Sequence, residues 1–265
     1  MKLLTEEQLA DCTKWTQPQM YWRVKTSGLR SAYRGIRRAI DRRTRGYELP
    51  TKIHVDLDIP KLAEHYKEKH WGYVEKFFPD DLYRQIRELW PPRYFFSATR
   101  NMVRPLDRCF RWERGREFVE VEHAKQFPFM QKLHAYCGSP EFCTQVARIA
   151  GSNGEMEMTM FDATFVSAGA YLPAHIDSAQ RLDRSTEMMQ LAVFIDGGEN
   201  GNTSGALRLT RTPNFDDVII CPPHLQNTAL VYSTGQDYYH GFPRVAAGNF
   251  RWSLNMRFVP KGMDA

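Results

Sequence analysis

The 265-residue chain has no uninterrupted apolar run near the roughly 18 to 20 residues that cross a bilayer, and its opening, MKLLTEEQLADC, turns acidic before a signal-peptide apolar region forms. No membrane span is expected, and the expected location is the cytoplasm. Cysteine is scarce: Cys12, Cys109, Cys137, Cys143 and Cys221 are odd in number, scattered, and never spaced as C-x-x-C. Neither a disulfide framework nor a cysteine zinc knuckle follows, and the five read as reduced packing residues. Also missing are G-x-G-x-x-G, G-x-x-x-x-G-K-[ST] and H-E-x-x-H. Nucleotide-cradling loops and the paired-histidine helix of many zinc hydrolases therefore have no signal. There is no internal repeat or low-complexity tract, and 42% apolar with 25% charged residues is an ordinary globular composition.

The net charge is only +5, but it is unevenly spread. From Arg23 to Arg45, nine Lys or Arg face Asp41 alone, a local +8 that leaves −3 for everything else. Within that segment Leu29, Tyr33, Ile36 and Ile40 fall on one face of a 3.6-residue period, with arginines around the rest of the wheel. The spacing predicts a basic amphipathic helix, interrupted or shortened by Gly35 and by Gly46 with Pro50. It can touch an anionic membrane surface, hold nucleic-acid phosphates, or dock its apolar stripe on the main domain; docking is the expectation, and a nucleic-acid partner is not favoured.

Elsewhere the first half reads as helices. Thr5 begins a Thr-x-x-Gln cap, Pro60 opens KLAEHYKEKHW, Asp80 or Asp81 can cap LYRQIRELW before Pro91-Pro92, and Ser139-Pro140-Glu141 starts EFCTQVARIA before Gly151. From Met156 onward short runs rich in β-branched and aromatic residues replace them: EMTMFDATFVS, MMQLAVFID, GALRLT, DDVIICPP, NTALVYS and FRWSLNMRFVP. Helices first and strands later, without βαβ alternation, predict an α+β fold with a jelly-roll β core flanked by N-terminal helices. The expected division is a basic, mainly helical extension over 1–70 and a jelly-roll domain over 71–265.

Histidine carries the chemical signal. His-x-Asp occurs twice, as His54-Val55-Asp56 and as His175-Ile176-Asp177. The second lies in the β half, where residues i and i+2 share a side of the chain, so His175 and Asp177 can converge on one metal. His240 follows 65 residues later as a third ligand; Arg251 follows eleven residues after it, with Ser253 two places on. His54 has no such continuation and reads as structural. Two imidazoles and one carboxylate leave three coordination positions open, the arrangement of non-haem Fe(II) oxygenases, although a catalytic zinc accepts the same donors. A bidentate keto-diacid on such a metal needs a fixed cation for its remote carboxylate, and Arg251 supplies a planar fork with the Ser253 hydroxyl beside it.

Three blocks between Phe165 and Phe258, SAGAYLPAHID, GALRL and TALVYSTGQDYYHGFPRVAAGNFRWSLNMRF, resemble the iron(II)/2-oxoglutarate-dependent oxygenase superfamily, nearest its prolyl-hydroxylase-like branch. YVEKFFPDDLYRQIRELWP extends the resemblance back to about Trp71; the family's Gly-Gly strand block is here Gly205-Ala206. The resemblance implies a double-stranded β-helix, and His175, Asp177 and His240 as catalytic Fe(II) ligands. It further implies Arg251 and Ser253 on the 2-oxoglutarate carboxylate, Tyr171 as a hydrogen-bond donor to that cosubstrate, and O2 as oxidant. Since Asp177 stands where halogenating relatives have a small residue, it implies hydroxylation. Arg181 and Arg184, in the loop after the metal motif, and Tyr239, beside the distal histidine, are the candidate substrate contacts. The expected activity is hydroxylation of an unactivated carbon of a small metabolite, an amino acid or natural-product intermediate. The alternatives are a hydroxylase or dealkylase acting on protein or nucleic acid, and a non-catalytic jelly-roll binding module. Oligomeric state has no sequence signal.

Overall fold

A computed structural model describes residues 32–33, 35–37, 39–40, 52–98, 106–114, 127–176, 188–197, 204–233 and 238–263. Asp177, Arg181 and Arg184, the Thr5 cap and Leu29 lie outside the described residues. Between 32 and 40 the described residues are helical, Gly35 included, and Tyr33, Ile36 and Ile40 are exposed. The apolar stripe expected to dock on the main domain is thus open at these three positions.

Helix α1 (Ile59–Lys69) starts where the Asp58 carboxylate accepts from Lys61 N, and it ends at His70, which takes a left-handed conformation with φ 56°. That cap turns the chain, so Trp71, expected as the last helical residue, instead opens strand β1 (Trp71–Val74). Helix α2 (Asp80–Leu89) follows Pro79 without a side-chain cap; Asp80 and Asp81 lie inside its first turn, where their charges favour the helix dipole. The Arg87 side chain of α2 then pairs with Asp196 at 3.0 Å. Strands β2 (Ser97–Ala98) and β3 (Leu106–Glu113) come next, then helices α3 (Pro128–Cys137) and α4 (Pro140–Ala150). Ser139 caps α4, accepting from Phe142 N at 3.2 Å, and Gly151 closes it at φ 66°.

The described elements of the second half are all strands: β4 (Met156–Ser167), β5 (Leu172–His175), β6 (Met189–Gly197), β7 (Arg208–Thr210), β8 (Val218–Ile220), β9 (Thr228–Ser233), β10 (Tyr239–Phe242) and β11 (Phe250–Pro260). They form two antiparallel sheets, ordered β1-β9-β6-β11-β4-β3-β2 and β5-β10-β7-β8. Three strands of the large sheet thus come from the half of the chain that reads as helical.

Alternation along the strands builds two cores. On one face of the large sheet Phe161, Ala163, Phe165, Leu254, Met256 and Phe258 join Leu62, Leu82, Leu133 and Phe142 of the helices. Leu62 and Tyr66 of α1 are buried in this core, so the segment from residue 52 packs with the body of the protein. The other face turns toward the small sheet, where Val166, Phe194 and Leu230 meet Leu172, Leu209 and Phe242. The candidate site lies between the sheets. No helix of the described residues is long and apolar enough to cross a membrane.

Candidate active site

Strands β5 and β10 run antiparallel with His175 directly opposite His240. The pairing shifts register just past these residues, between His240 and Phe242. Gly241 makes that irregular approach possible, because a Cβ there would lie 2.5 Å from Leu172 O and 2.8 Å from Pro173 O. The result is two imidazoles with ring centroids 4.3 Å apart at 45°. The His175 Nδ1 lies 2.8 Å from Pro173 O; protonated, it donates there, which leaves Nε2 as the ring's electron-pair donor. His240 is buried, with its ring 5.2 Å from the Tyr232 ring of the facing sheet.

Arg251 enters from the large sheet. It is 4% exposed, yet carries a charge; its Nη1 donates to Gly205 O at 2.5 Å, and its Cζ stands 4.5 Å from the Phe242 ring centre and 5.8 Å from that of Phe194. Phe242 is two residues from His240, about 7 Å along the strand, so guanidinium and histidines belong to one compartment. Burial pushes the guanidinium pKa down to about 10, partly offset by the charge Tyr232 can carry. The Arg251 Nε is buried with no hydrogen-bond partner among the described residues. An orphaned donor on a buried cation fits an anion supplied from outside the chain.

Ser253, two residues along β11, is fully buried and its Oγ lies 2.8 Å from Thr164 Oγ1 on β4, which in turn accepts from Asn255 Nδ2 at 3.1 Å. Thr164 and Asn255 were not legible as site residues from the histidine spacing. The signal available was the alternation Arg251, Ser253, Asn255, Arg257, which places a polar residue at every second position of a central strand.

The structure therefore brings His175 and His240 together, sets Arg251 against Phe242 of the same strand as His240, and places Ser253 two residues along β11 from Arg251, against Thr164. Asp177, the expected third metal ligand, is outside the described residues, and among those described no three metal-binding side chains gather. Tyr171, just before β5, is half-buried. Tyr239 adjoins His240 in β10, so alternation sets it on the opposite face of the small sheet, away from the intersheet space in which His240 meets Tyr232. Trp252 packs in the helix-side core with Phe165 and Phe250. His54 is exposed on the segment before α1, near Lys52 O.

No family model and no curated protein matches the sequence. Solved structures share the fold. One is an oxidoreductase of the 2OG-Fe(II) oxygenase family from Burkholderia pseudomallei, at TM-score 0.55 and 14% identity over 78% of this chain and 93% of that one. Another is a prolyl-4-hydroxylase from Pseudomonas putida, at TM-score 0.52 and 16% identity, covering 77% and 100%. A third is the non-heme alpha ketoglutarate dependent epimerase SnoN from nogalamycin biosynthesis, at 0.50 and 9%, covering 76% and 80%. These identities make the likeness one of fold.

Proposed function

We propose that the chain is an Fe(II)- and 2-oxoglutarate-dependent oxygenase on a jelly-roll, double-stranded β-helix core, hydroxylating an unactivated carbon of a small metabolite. The observation that carries this reading is the in-register His175–His240 pair sharing its compartment with the buried Arg251 guanidinium. The residues suit the metal: His175 Nδ1 rests on a backbone carbonyl, which orients the ring and fixes the tautomer a ligating histidine needs. Asp177, two residues beyond His175, completes a two-histidine, one-carboxylate set that leaves positions for two further reactants. With iron bound, such a set supplies oxygen activation coupled to oxidative decarboxylation of the keto-diacid, the sum being substrate, 2-oxoglutarate and O2 converted to hydroxylated substrate, succinate and CO2.

The chain's own part is to orient and to exclude water. Arg251 holds the remote carboxylate through its Nε edge, while the Phe242 and Phe194 rings shield its planar guanidinium from water. The Ser253 and Thr164 hydroxyls offer a second hydrogen-bonding edge one row away. Anaerobic addition of Fe(II) and 2-oxoglutarate should produce a weak visible charge-transfer band that His175→Ala abolishes. Absence of the band, or its survival in that variant, refutes the assignment. A succinate-release screen over small metabolites then identifies the substrate. If deletion of residues 23–45 abolished turnover on a polyanionic macromolecule with steep salt dependence, the macromolecular reading would replace the small-metabolite one.

A further inference from the structure

The basic segment of the first half takes no part in the site described above. Every described residue from 32 to 40 is helical and exposed. Tyr33, Ile36 and Ile40 are 60%, 62% and 52% exposed, whereas Ile176 and Val218, the other exposed large apolar side chains among the described residues, reach only 37% and 36%. On a helix of about 3.6 residues per turn the three fall within about 60° of one another, so they form one apolar stripe. Neither hydrophobic core takes a described residue from before Ile53. A Cβ built on Gly35 would meet nothing within 4 Å. The helix therefore turns its stripe to solvent rather than to the body of the protein.

Charge decides what covers such a stripe. Nine Lys or Arg against Asp41 alone give the sequence from Arg23 to Arg45 a local +8, and the rest of the chain carries −3. A second copy of the helix would set like charge against like charge. Nucleic acid would engage the arginines and leave the apolar stripe in water. An anionic bilayer surface satisfies both features. The apolar side chains enter the boundary between headgroups and acyl chains, Tyr33 keeps its hydroxyl at the polar level, and the cations stay with the lipid phosphates and carboxylates. We propose that this helix is an interfacial anchor, holding the protein on anionic membrane surfaces through Tyr33, Ile36 and Ile40 together with the cations of the same segment. A short helix is marginal in water and Gly35 weakens it further, so membrane contact and helix formation reinforce one another. The rest of the chain, at −3, adds no attraction of its own, so attachment belongs to this segment and is reversible. The inference is independent of the oxygenase reading, and its test needs neither metal nor 2-oxoglutarate.

The test is co-sedimentation of the full chain with vesicles of phosphatidylcholine, alone or mixed with phosphatidylserine. Saturable binding to the mixed vesicles is expected, weaker by roughly tenfold or more on phosphatidylcholine alone and falling as salt rises. Ile36→Ser combined with Ile40→Ser keeps every charge and should weaken binding to mixed vesicles roughly tenfold or more, with the thermal midpoint unchanged because neither side chain belongs to a core. Gly35→Ala meets no steric obstacle and should tighten binding about fivefold, the gain from a better helix former where the bound state is helical. No saturable binding to mixed vesicles overturns the inference. Equal binding of the doubly substituted protein overturns it too, since the contact would then be electrostatic adhesion without insertion. Weaker binding of Gly35→Ala would contradict a helical bound form. Tighter binding to duplex DNA than to vesicles, unchanged by the double substitution, would assign the segment to nucleic acid instead. A solution dimer that the double substitution dissolves would assign the stripe to a second copy and overturn the membrane anchor.

Discussion

Replacing Arg251 by methionine separates the stability of the fold from its affinity for a keto-diacid. The guanidinium is buried, and its pKa falls from the ordinary arginine value to about 10, which corresponds to about 3 kcal/mol of penalty on the charged form. Against this stand one charge-assisted bond to Gly205 O, worth about 1.5–3 kcal/mol, and two cation–π contacts of about 1 kcal/mol each. The two sides nearly cancel. Methionine retains most of the volume without a charge, as in other cores where buried ions have been replaced by apolar residues. The ligand-free Arg251→Met protein should therefore unfold within about 1 kcal/mol of wild type, or about 2–4 °C in midpoint. Ligand-induced stabilisation should differ sharply. Wild type with 2-oxoglutarate at a hundred times its Kd gains about 2.7 kcal/mol, and a variant whose affinity is lowered about a hundredfold gains about 0.4 kcal/mol. Thermal unfolding of both proteins, loaded with metal and with or without 2-oxoglutarate, reads all four values. A ligand-free loss above about 3 kcal/mol would show that Arg251 is a structural ion, and equal stabilisation by 2-oxoglutarate would show that it is not the anion site.

Gly241→Ala drives a Cβ into the backbone of β5, against Leu172 O and Pro173 O, and should cost about 1–3 kcal/mol while lowering metal affinity roughly tenfold or more. Gly154→Ala, whose nearest neighbour is Ser152 Oγ at 3.9 Å, is the control; equal effects in both variants on metal titration would sink the register account. His134 lies between the rings of Trp112 and Phe161, and burial lowers its pKa. The unfolded chain thus takes the proton first as pH falls, so its contribution is whole above the ordinary histidine pKa and declines below it. Denaturant midpoints at about pH 5 and 7.5 should therefore diverge less in His134→Phe than in wild type; unchanged divergence would exclude His134 as the titrating group. Among Cys137, Cys143 and Cys221, alkylation followed by mass spectrometry should label half-buried Cys221 first, because burial pushes the thiols of Cys137 and Cys143 up. Native-state labelling of Cys137 ahead of Cys221 would contradict the core assignment.

Local rules were legible where the chain interacts with itself over a few residues. Ser139 and Gly151 bound their helix where the side-chain chemistry sets them, and β11 runs from Phe250 to Pro260 as its sequence run predicts. Residues at i and i+2, Arg251 and Ser253, do share a face. The left-handed turn at His70 and the strands of the first half were not legible, since β1 is only four residues long and follows a helix directly, β3 has few residues of strand character, and both take their form from pairing with β9 and β4.

The order of donor types along the chain, and so the chemistry they suit, is a property of the sequence, because imidazole, carboxylate and guanidinium bring their electronics with them. Their proximity is not. His175 and His240 are 65 residues apart, and only the pairing of β5 with β10, closed by a residue without a Cβ at 241, sets their rings 4.3 Å apart. Likewise the alternation of β11 separates two faces, but which face lines a cavity depends on where the helices pack. Once Leu254 and Met256 are claimed by the helix-side core, Arg251, Asn255 and Arg257 are left on the opposite face. Burial of an arginine, and with it the lowered pKa and the unsatisfied Nε, arises from that packing alone.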